Sequence, residues 1–272
     1  MTSAHDGFPG APEVPAAPEF PEFPGFPGFD AFAEFDRSGG PALLAAARGL
    51  LLDFDGPMCR LFAGHPADGV ALRMRELLAE RAGIADPGPV RAALRDPHGL
   101  LRAARGREIV ADLEALLAEQ EEVAALSAEP TPGAGAFVRA VADSGRVPAV
   151  TTNNAPRAVL AYLKAHGLDA WFGDRVFGRD PEDPSRMKPH PDCLLRAVAA
   201  LGVPPGDCLM IGDSPADAEA AVAAGVRFLG YARSPDRVAR LRRDVPHPVV
   251  VGMAPLVSAA RTLGAVPGPS EE

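Results

Sequence analysis

Asp53 and Asp55 stand two residues apart at the end of the apolar run Gly49-Leu50-Leu51-Leu52, and Gly56 follows them. An apolar stretch of strand length that stops at carboxylates and a glycine reads as a buried parallel strand. Its last side chains then emerge at the carboxyl edge of the sheet, where open α/β folds bind their ligands. Two carboxylates crowded there repel one another unless a cation lies between them. Three later segments carry polar residues past apolar runs: Thr151-Thr152-Asn153-Asn154, Arg186-Met187-Lys188-Pro189 and Gly212-Asp213-Ser214-Pro215-Ala216-Asp217. Carboxylates alone suit a hard cation, Mg²⁺ first. A lysine and a hydroxyl beside them suit an anion, most simply a phosphoryl group.

Positioning these residues requires alternating elements, and the pattern from Pro41 onward supplies them. A lead-in at Ala42–Arg48 precedes the strand Leu50–Phe54. Apolar spacing predicts helices over 67–82, stopping at Gly83, and over 106–127, whose opposite face carries acids. Pro87, Pro89 and Pro97 break the connection between them into turns. Residues 58–130 thus read as a helical insertion with no convincing strand. Then follow a helix from Pro132-Gly133 to Gly145, the strand Val147–Thr151, and a helix from Asn154, its expected N-cap, to Gly167. A short strand at Asp174–Gly178, a helix over Pro191–Leu201 and the strand Cys208–Ile211 come next. The chain continues with a helix over Ser214–Ala224 capped by Ser214, the strand Val226–Gly230, a helix over 235–243, the strand Val249–Val251 and a terminal helix. Strands alternating with helices imply right-handed crossovers and a parallel sheet covered on both faces. The fold class expected is α/β, a Rossmann-like three-layer parallel core (42–57 and 131–265) with an inserted helical cap (58–130).

In order and spacing these residues resemble the haloacid dehalogenase superfamily, whose commonest members are Mg²⁺-dependent phosphatases. The resemblance covers about 42–265. An Asp-x-Asp-Gly motif is matched by Asp53, Asp55 and Gly56, a threonine after a strand by Thr152 with Asn153 beside it, a lysine by Lys188, and Gly-Asp-Ser-x-x-Asp by Gly212, Asp213, Ser214 and Asp217. Pro57 departs from the threonine or valine usual after the first glycine. The resemblance implies that Asp53 is the nucleophile and Asp55 the acid and base. Thr152, Asn153 and Lys188 would bind the phosphoryl group. Asp53, Asp55 through its carbonyl, Asp213 and Asp217 would hold Mg²⁺. The dehalogenase branch lacks the second aspartate, so Asp55 argues for phosphoryl chemistry on a small phosphorylated metabolite. A sugar-phosphate mutase and a catalytically quiet scaffold are the rival readings.

Blander readings exist for each residue. Asp53, Asp55 and Gly56 alone would make a turn, Lys188 a solvated loop lysine, and Asp217 a first-turn acid favoured by the helix dipole. His190 reads as a loop residue. Gly133-Ala134-Gly135 lacks the third glycine of a dinucleotide fingerprint, and Gly64 and Gly69 lack the Lys-Ser/Thr of a phosphate loop. The cap arginines Arg60, Arg73 and Arg75 could meet a second anionic group on a substrate, although Arg73 and Arg75 read more readily as a solvated helix face.

The 272 residues carry a net charge of −9 with no basic patch, which excludes nucleic acid as an expected partner. Cys59, Cys193 and Cys208 have neither disulfide nor zinc spacing. With no membrane-length apolar run and no signal-like start, a cytoplasmic protein with no membrane partner is expected. Residues 1–36 differ in kind. Phe20, Phe23, Phe26, Phe29, Phe32 and Phe35 recur at every third position among prolines and glycines. That composition reads as a disordered tail. Alternatively, an aromatic edge of polyproline II type binds a protein partner or folds back on the body.

Overall fold

A computed structural model describes residues 28–82, 95–244 and 247–264. Expectations for residues 1–27, Gly83, Pro87 and Pro89 lie outside the described residues.

Six parallel strands form one sheet: β1 (Gly49–Leu52), β4 (Val147–Thr151), β5 (Val176–Phe177), β6 (Cys208–Gly212), β7 (Arg227–Ala232) and β8 (Val249–Val251), in the order β5-β4-β1-β6-β7-β8. Strand β1 is central, with Leu51 in register with Ala149 on one side and Met210 on the other. All four of its residues are buried, because helices cover both faces of the sheet. Leu50 and Leu52 point into the cluster formed with α6 (Ala134–Asp143), α7 (Pro156–Ala165) and α12 (Ala254–Thr262). Leu51 points the other way, toward α9 (Asp192–Leu201) and α10 (Pro215–Ala224). This strict alternation fixes the register, since a one-residue slip would exchange the two cores. The three-layer parallel core is the expected one.

The insertion after β1 consists of α3 (Ala67–Ala82), α4 (Pro97–Ala103) and α5 (Val110–Leu126), which share their own apolar cluster around Val70, Met74, Leu101, Leu113 and Leu117. Met187 of the core joins that cluster. Sequence reasoning foresaw no strand here, yet β2 (Cys59–Arg60) and β3 (Glu129–Pro130) pair antiparallel where the insertion leaves and rejoins the core. Two-residue strands are too short to carry a periodic signal, and Arg60 and Glu129 fasten them with an ion pair at 2.5 Å. Arg60 is thus paired with Glu129 while its side chain stays exposed. Arg73, though exposed, donates to Gln120 at 2.9 Å.

One expectation for the chain before β1 needs correction. The lead-in is α2 (Gly40–Ala46), but α1 (Ala31–Arg37) forms within the stretch read as a disordered tail. After Pro27 no proline intervenes until Pro41, so nothing forbids the helix. Asp30 caps it, accepting from the backbone N–H groups of Phe32 and Ala33 at 3.1 and 3.0 Å. Phe35 is buried in the main core while Phe32 stays exposed, so this part of the segment folds back on the body. Regular structure is thus present ahead of residue 36. Among the described residues no helix is long and apolar enough to cross a membrane.

Candidate active site

The carboxyl ends of β1, β4 and β6 bring most of the chemically suspect residues together. Asp53 continues β1 by donating its N–H to the Ile211 carbonyl at 2.9 Å, and its side chain accepts from Phe54 N–H at 2.8 Å. Lys188 arrives from the loop after β5. Its ammonium lies 2.8 Å from Asp53, 2.6 Å from Asp217 and 3.0 Å from the Thr151 carbonyl. Asp53, Asp217 and Lys188 are all buried. Asp213 completes the group: one oxygen each of Asp53, Asp213 and Asp217 lies within 4.8 Å of the others.

Two glycines make this crowding possible. Gly56 has φ +121°, and a Cβ there would meet Asp213 Cγ at 2.5 Å. At Gly212 a Cβ would meet the Asp217 side chain at 2.6 Å. Asp217 itself is held by a capping box. Its Oδ2 accepts from the Ser214 N–H at 3.0 Å and the Ser214 hydroxyl at 2.7 Å, and the Asp217 N–H returns to Ser214 Oγ at 3.3 Å. Both Asp217 oxygens therefore already have protein partners.

Packing like charges in a dry site carries an electrostatic consequence. Burial, then Asp217, pushes the Asp53 carboxyl up to about 7, although Lys188 pulls the other way. Burial, then Asp53, Asp217 and Asp55, pushes Asp213 up to about 8. Burial opposes the charge on Lys188, but Asp217 and Asp53 outweigh it and hold the ammonium above its usual range. Burial raises the Asp55 carboxyl although the residue keeps exposed surface, and Leu61 N–H, donating at 3.0 Å, opposes that rise. A set of oxygen donors straining to stay protonated suits a hard divalent cation, which would replace the protons.

The loop after β4 differs from the expectation in detail. Asn154 does not cap α7. Ala155, preceding Pro156, is extended, and the helix begins at the proline. Thr152 lies at the site edge, its hydroxyl donating to Asn154 Oδ1 at 2.8 Å while accepting from Asn154 N–H at 3.1 Å. Asn153 uses its amide on the backbone of Lys188, accepting from the N–H at 2.7 Å and donating to the carbonyl at 3.2 Å. Its structural work is to hold the lysine loop, which the cap also touches through Arg102, donating to the Lys188 carbonyl at 3.1 Å.

Sequence reasoning missed a second polar cluster beside this loop. Glu114 and Glu121, among the acids of α5, are buried against Arg179. Arg179 Nε donates to Glu114 at 2.7 Å, and Nη1 donates to both oxygens of Glu121 at 2.7 Å and to the Asn153 carbonyl at 3.0 Å. Glu121 also takes the Asn154 amide at 3.0 Å and the Ala155 N–H at 2.8 Å, with His98 Nε2 at 2.9 Å. Burial would raise Glu121, but Arg179 and His98 hold it down to about 2. The available signal was that Glu114 and Glu121 are seven apart, two helical turns, and flank Leu117.

Fold and site together define an α/β protein with an acidic cluster at the carboxyl edge of a parallel sheet and a helical insertion after its central strand. A family model for haloacid dehalogenase-like hydrolases matches residues 45–225, and the chain belongs to that family. It is 37% identical over 108 residues to the phosphoglycolate phosphatase of Rhodospirillum rubrum, covering 38% of this chain and 44% of that protein. It is 35% identical over 104 residues to the putative pyrophosphatase PpaX of Caldanaerobacter subterraneus subsp. tengcongensis, covering 38% and 46% respectively. The chain thus spans less than half the length of these curated relatives. A crystal structure of a hydrolase of the same family from Deinococcus radiodurans R1, with bound phosphate and sodium, superposes with a TM-score of 0.51 at 26% identity, covering 81% of this chain and 100% of that one.

Proposed function

We propose that the chain is a Mg²⁺-dependent phosphatase acting on a small phosphate monoester through an aspartyl-phosphate intermediate. The observation that carries this reading is the Asp53 carboxylate at the end of the central strand, held by the Lys188 ammonium and grouped with Asp213 and Asp217. Relatives named as phosphatases and a neighbour with bound phosphate support it.

Asp53 attacks phosphorus in line, forming the Asp53–phosphorus bond as the ester oxygen departs. Asp55, kept protonatable by the cleft around it, gives its proton to that leaving oxygen. It then takes a proton from the water that attacks the aspartyl-phosphate, which releases inorganic phosphate and restores Asp53. Lys188 fixes the Asp53 oxygen and offsets the charge that gathers on the phosphoryl group. Thr152 turns its hydroxyl proton from Asn154 Oδ1 to a phosphoryl oxygen. Asp53, Asp213 and the Asp55 carbonyl would hold Mg²⁺, with Asp217 tying that shell to Lys188. When bound, the ion lowers the repulsion between the nucleophile and the phosphate. The cap would limit substrates to those that fit beneath it.

The test is phosphate release from p-nitrophenyl phosphate and a panel of small phosphate esters, with Mg²⁺ and with chelator. Release that depends on Mg²⁺ is expected. Turnover seen only when a sugar bisphosphate is added would mark a phosphotransferase instead. Silence across the panel, together with no effect of Mg²⁺ on the melting temperature, would contradict the reading.

A further inference from the structure

The cluster around Glu121 joins three parts of the molecule at the seam where α5 packs on α7. Glu121 and Glu114 lie on α5 and His98 on α4, all in the cap. Arg179 follows β5 in the core, and Asn153 to Ala155 form the loop that carries Thr152. Glu121 and Arg179 are completely buried side chains. One Arg179 nitrogen, Nη2, finds no partner among the described residues. A buried ion cluster that leaves a donor orphaned is a poor source of stability compared with an apolar core of the same volume. Its geometry indicates another task.

Apart from those with Arg179, the bonds that Glu121 makes to the core end on the Thr152 loop. The Ala155 N–H reaches Oε2, and the Asn154 Nδ2 reaches Oε1. A carboxylate accepts only, so it must face the amide nitrogen of Asn154 and turn that residue's Oδ1 toward Thr152. Oδ1 is where the Thr152 hydroxyl proton rests. Arg179, fixed by the same carboxylate, holds the Asn153 carbonyl from the other side. Asn153 in turn grips the Lys188 backbone.

We infer that Glu121, contributed by the cap and locked by Arg179, is a positioning residue that sets the Thr152–Asn153 loop for phosphoryl binding. The inference rests on the phosphatase reading above. The cap thereby takes part in holding the phosphoryl group as well as in choosing the rest of the substrate.

Glu121→Gln places an amide against the guanidinium while keeping the side chain's size. It is expected to raise KM for the best ester of the panel, and the inhibition constant for inorganic phosphate, about ten- to a hundredfold. The same change in a Thr152→Ala background is expected to add little, because both act on one contact. Should Glu121→Gln fail to fold, Arg179→Lys serves instead. It keeps a buried cation beside Glu121 but gives up the planar fork that also holds Asn153, and the same rise in both constants is expected. A variant that melts lower yet keeps wild-type KM and phosphate inhibition would reduce the cluster to a structural role and overturn the inference. So would full additivity with Thr152→Ala. If the wild-type chain neither turns over the panel nor binds phosphate, the phosphatase reading fails first, and this inference fails with it.

Discussion

Lys188 balances the site's charges. Its ammonium is shared between Asp53 and Asp217, while its backbone is clamped by Asn153. Removing it leaves buried carboxylates facing one another, so Lys188→Met should cost about 3 kcal/mol of stability and abolish turnover, as denaturant melts and ester hydrolysis would show. The carboxylates also predict a pH dependence. Asp53 and Asp213 sit near 7 and 8 in the folded chain against an ordinary 3.8. Folding therefore favours their protonated forms, and that contribution, present below the ordinary value, is lost as pH rises through 7 and 8. A divalent cation replaces those protons, so the rise in melting temperature caused by Mg²⁺ should be larger at pH 8 than at pH 5. An equal or smaller rise at pH 8 would count against a cation held by these groups. Asp53, Asp55 and Asp213 were legible in sequence because each follows an apolar strand, and Lys188 through its place before Pro189 and its order among the other motifs. Glu121 and Arg179 were not, since a charged residue on a helix or in a loop gives no sign that a partner distant in sequence will bury it.

Among the elements, the turns after β1 and β6 decide whether the aspartates can gather. Gly56→Ala would force a side chain at φ +121° into Asp213. The backbone strain alone is worth about 1–3 kcal/mol, and half-saturation by Mg²⁺ in the activity assay should shift to higher concentration. Unchanged Mg²⁺ demand would show that the loop has room the structure does not display. Ser214→Ala removes the hydroxyl arm of the capping box at α10. A loss of about 1 kcal/mol is expected, with a fall in kcat because Asp217, which steadies Lys188, loses one restraint. The cap at Ser214, with Pro215 behind it, was readable from local sequence. That Asn154 would be drawn to Glu121 instead of capping α7 was not, because the competing acceptor comes from the cap, 33 residues away.

For the whole molecule, layer order and the place of the insertion follow from the alternation of apolar strands and amphipathic helices, which sequence displays plainly. The segment before β1 was harder to read. Its threefold phenylalanine spacing suggests an extended repeat, yet beyond Pro27 the chain is free to coil, and packing against β8 and α12 selects a helix. Phe35 is the anchor of that contact, and Phe35→Ala should cost about 3 kcal/mol while leaving KM for the ester unchanged. A large change in KM would mean that α1 reaches the substrate.

A bond from Asp53 to phosphorus is what separates this mechanism from direct hydrolysis by water, and it can be trapped. The enzyme is mixed with its best ester and Mg²⁺, quenched in acid within the first turnover, and digested. The account predicts that the peptide containing Asp53 gains the mass of a phosphoryl group, and that Asp53→Asn loses both this adduct and at least about a thousandfold in kcat. Turnover without the adduct, or with Asp53→Asn still active, would contradict it.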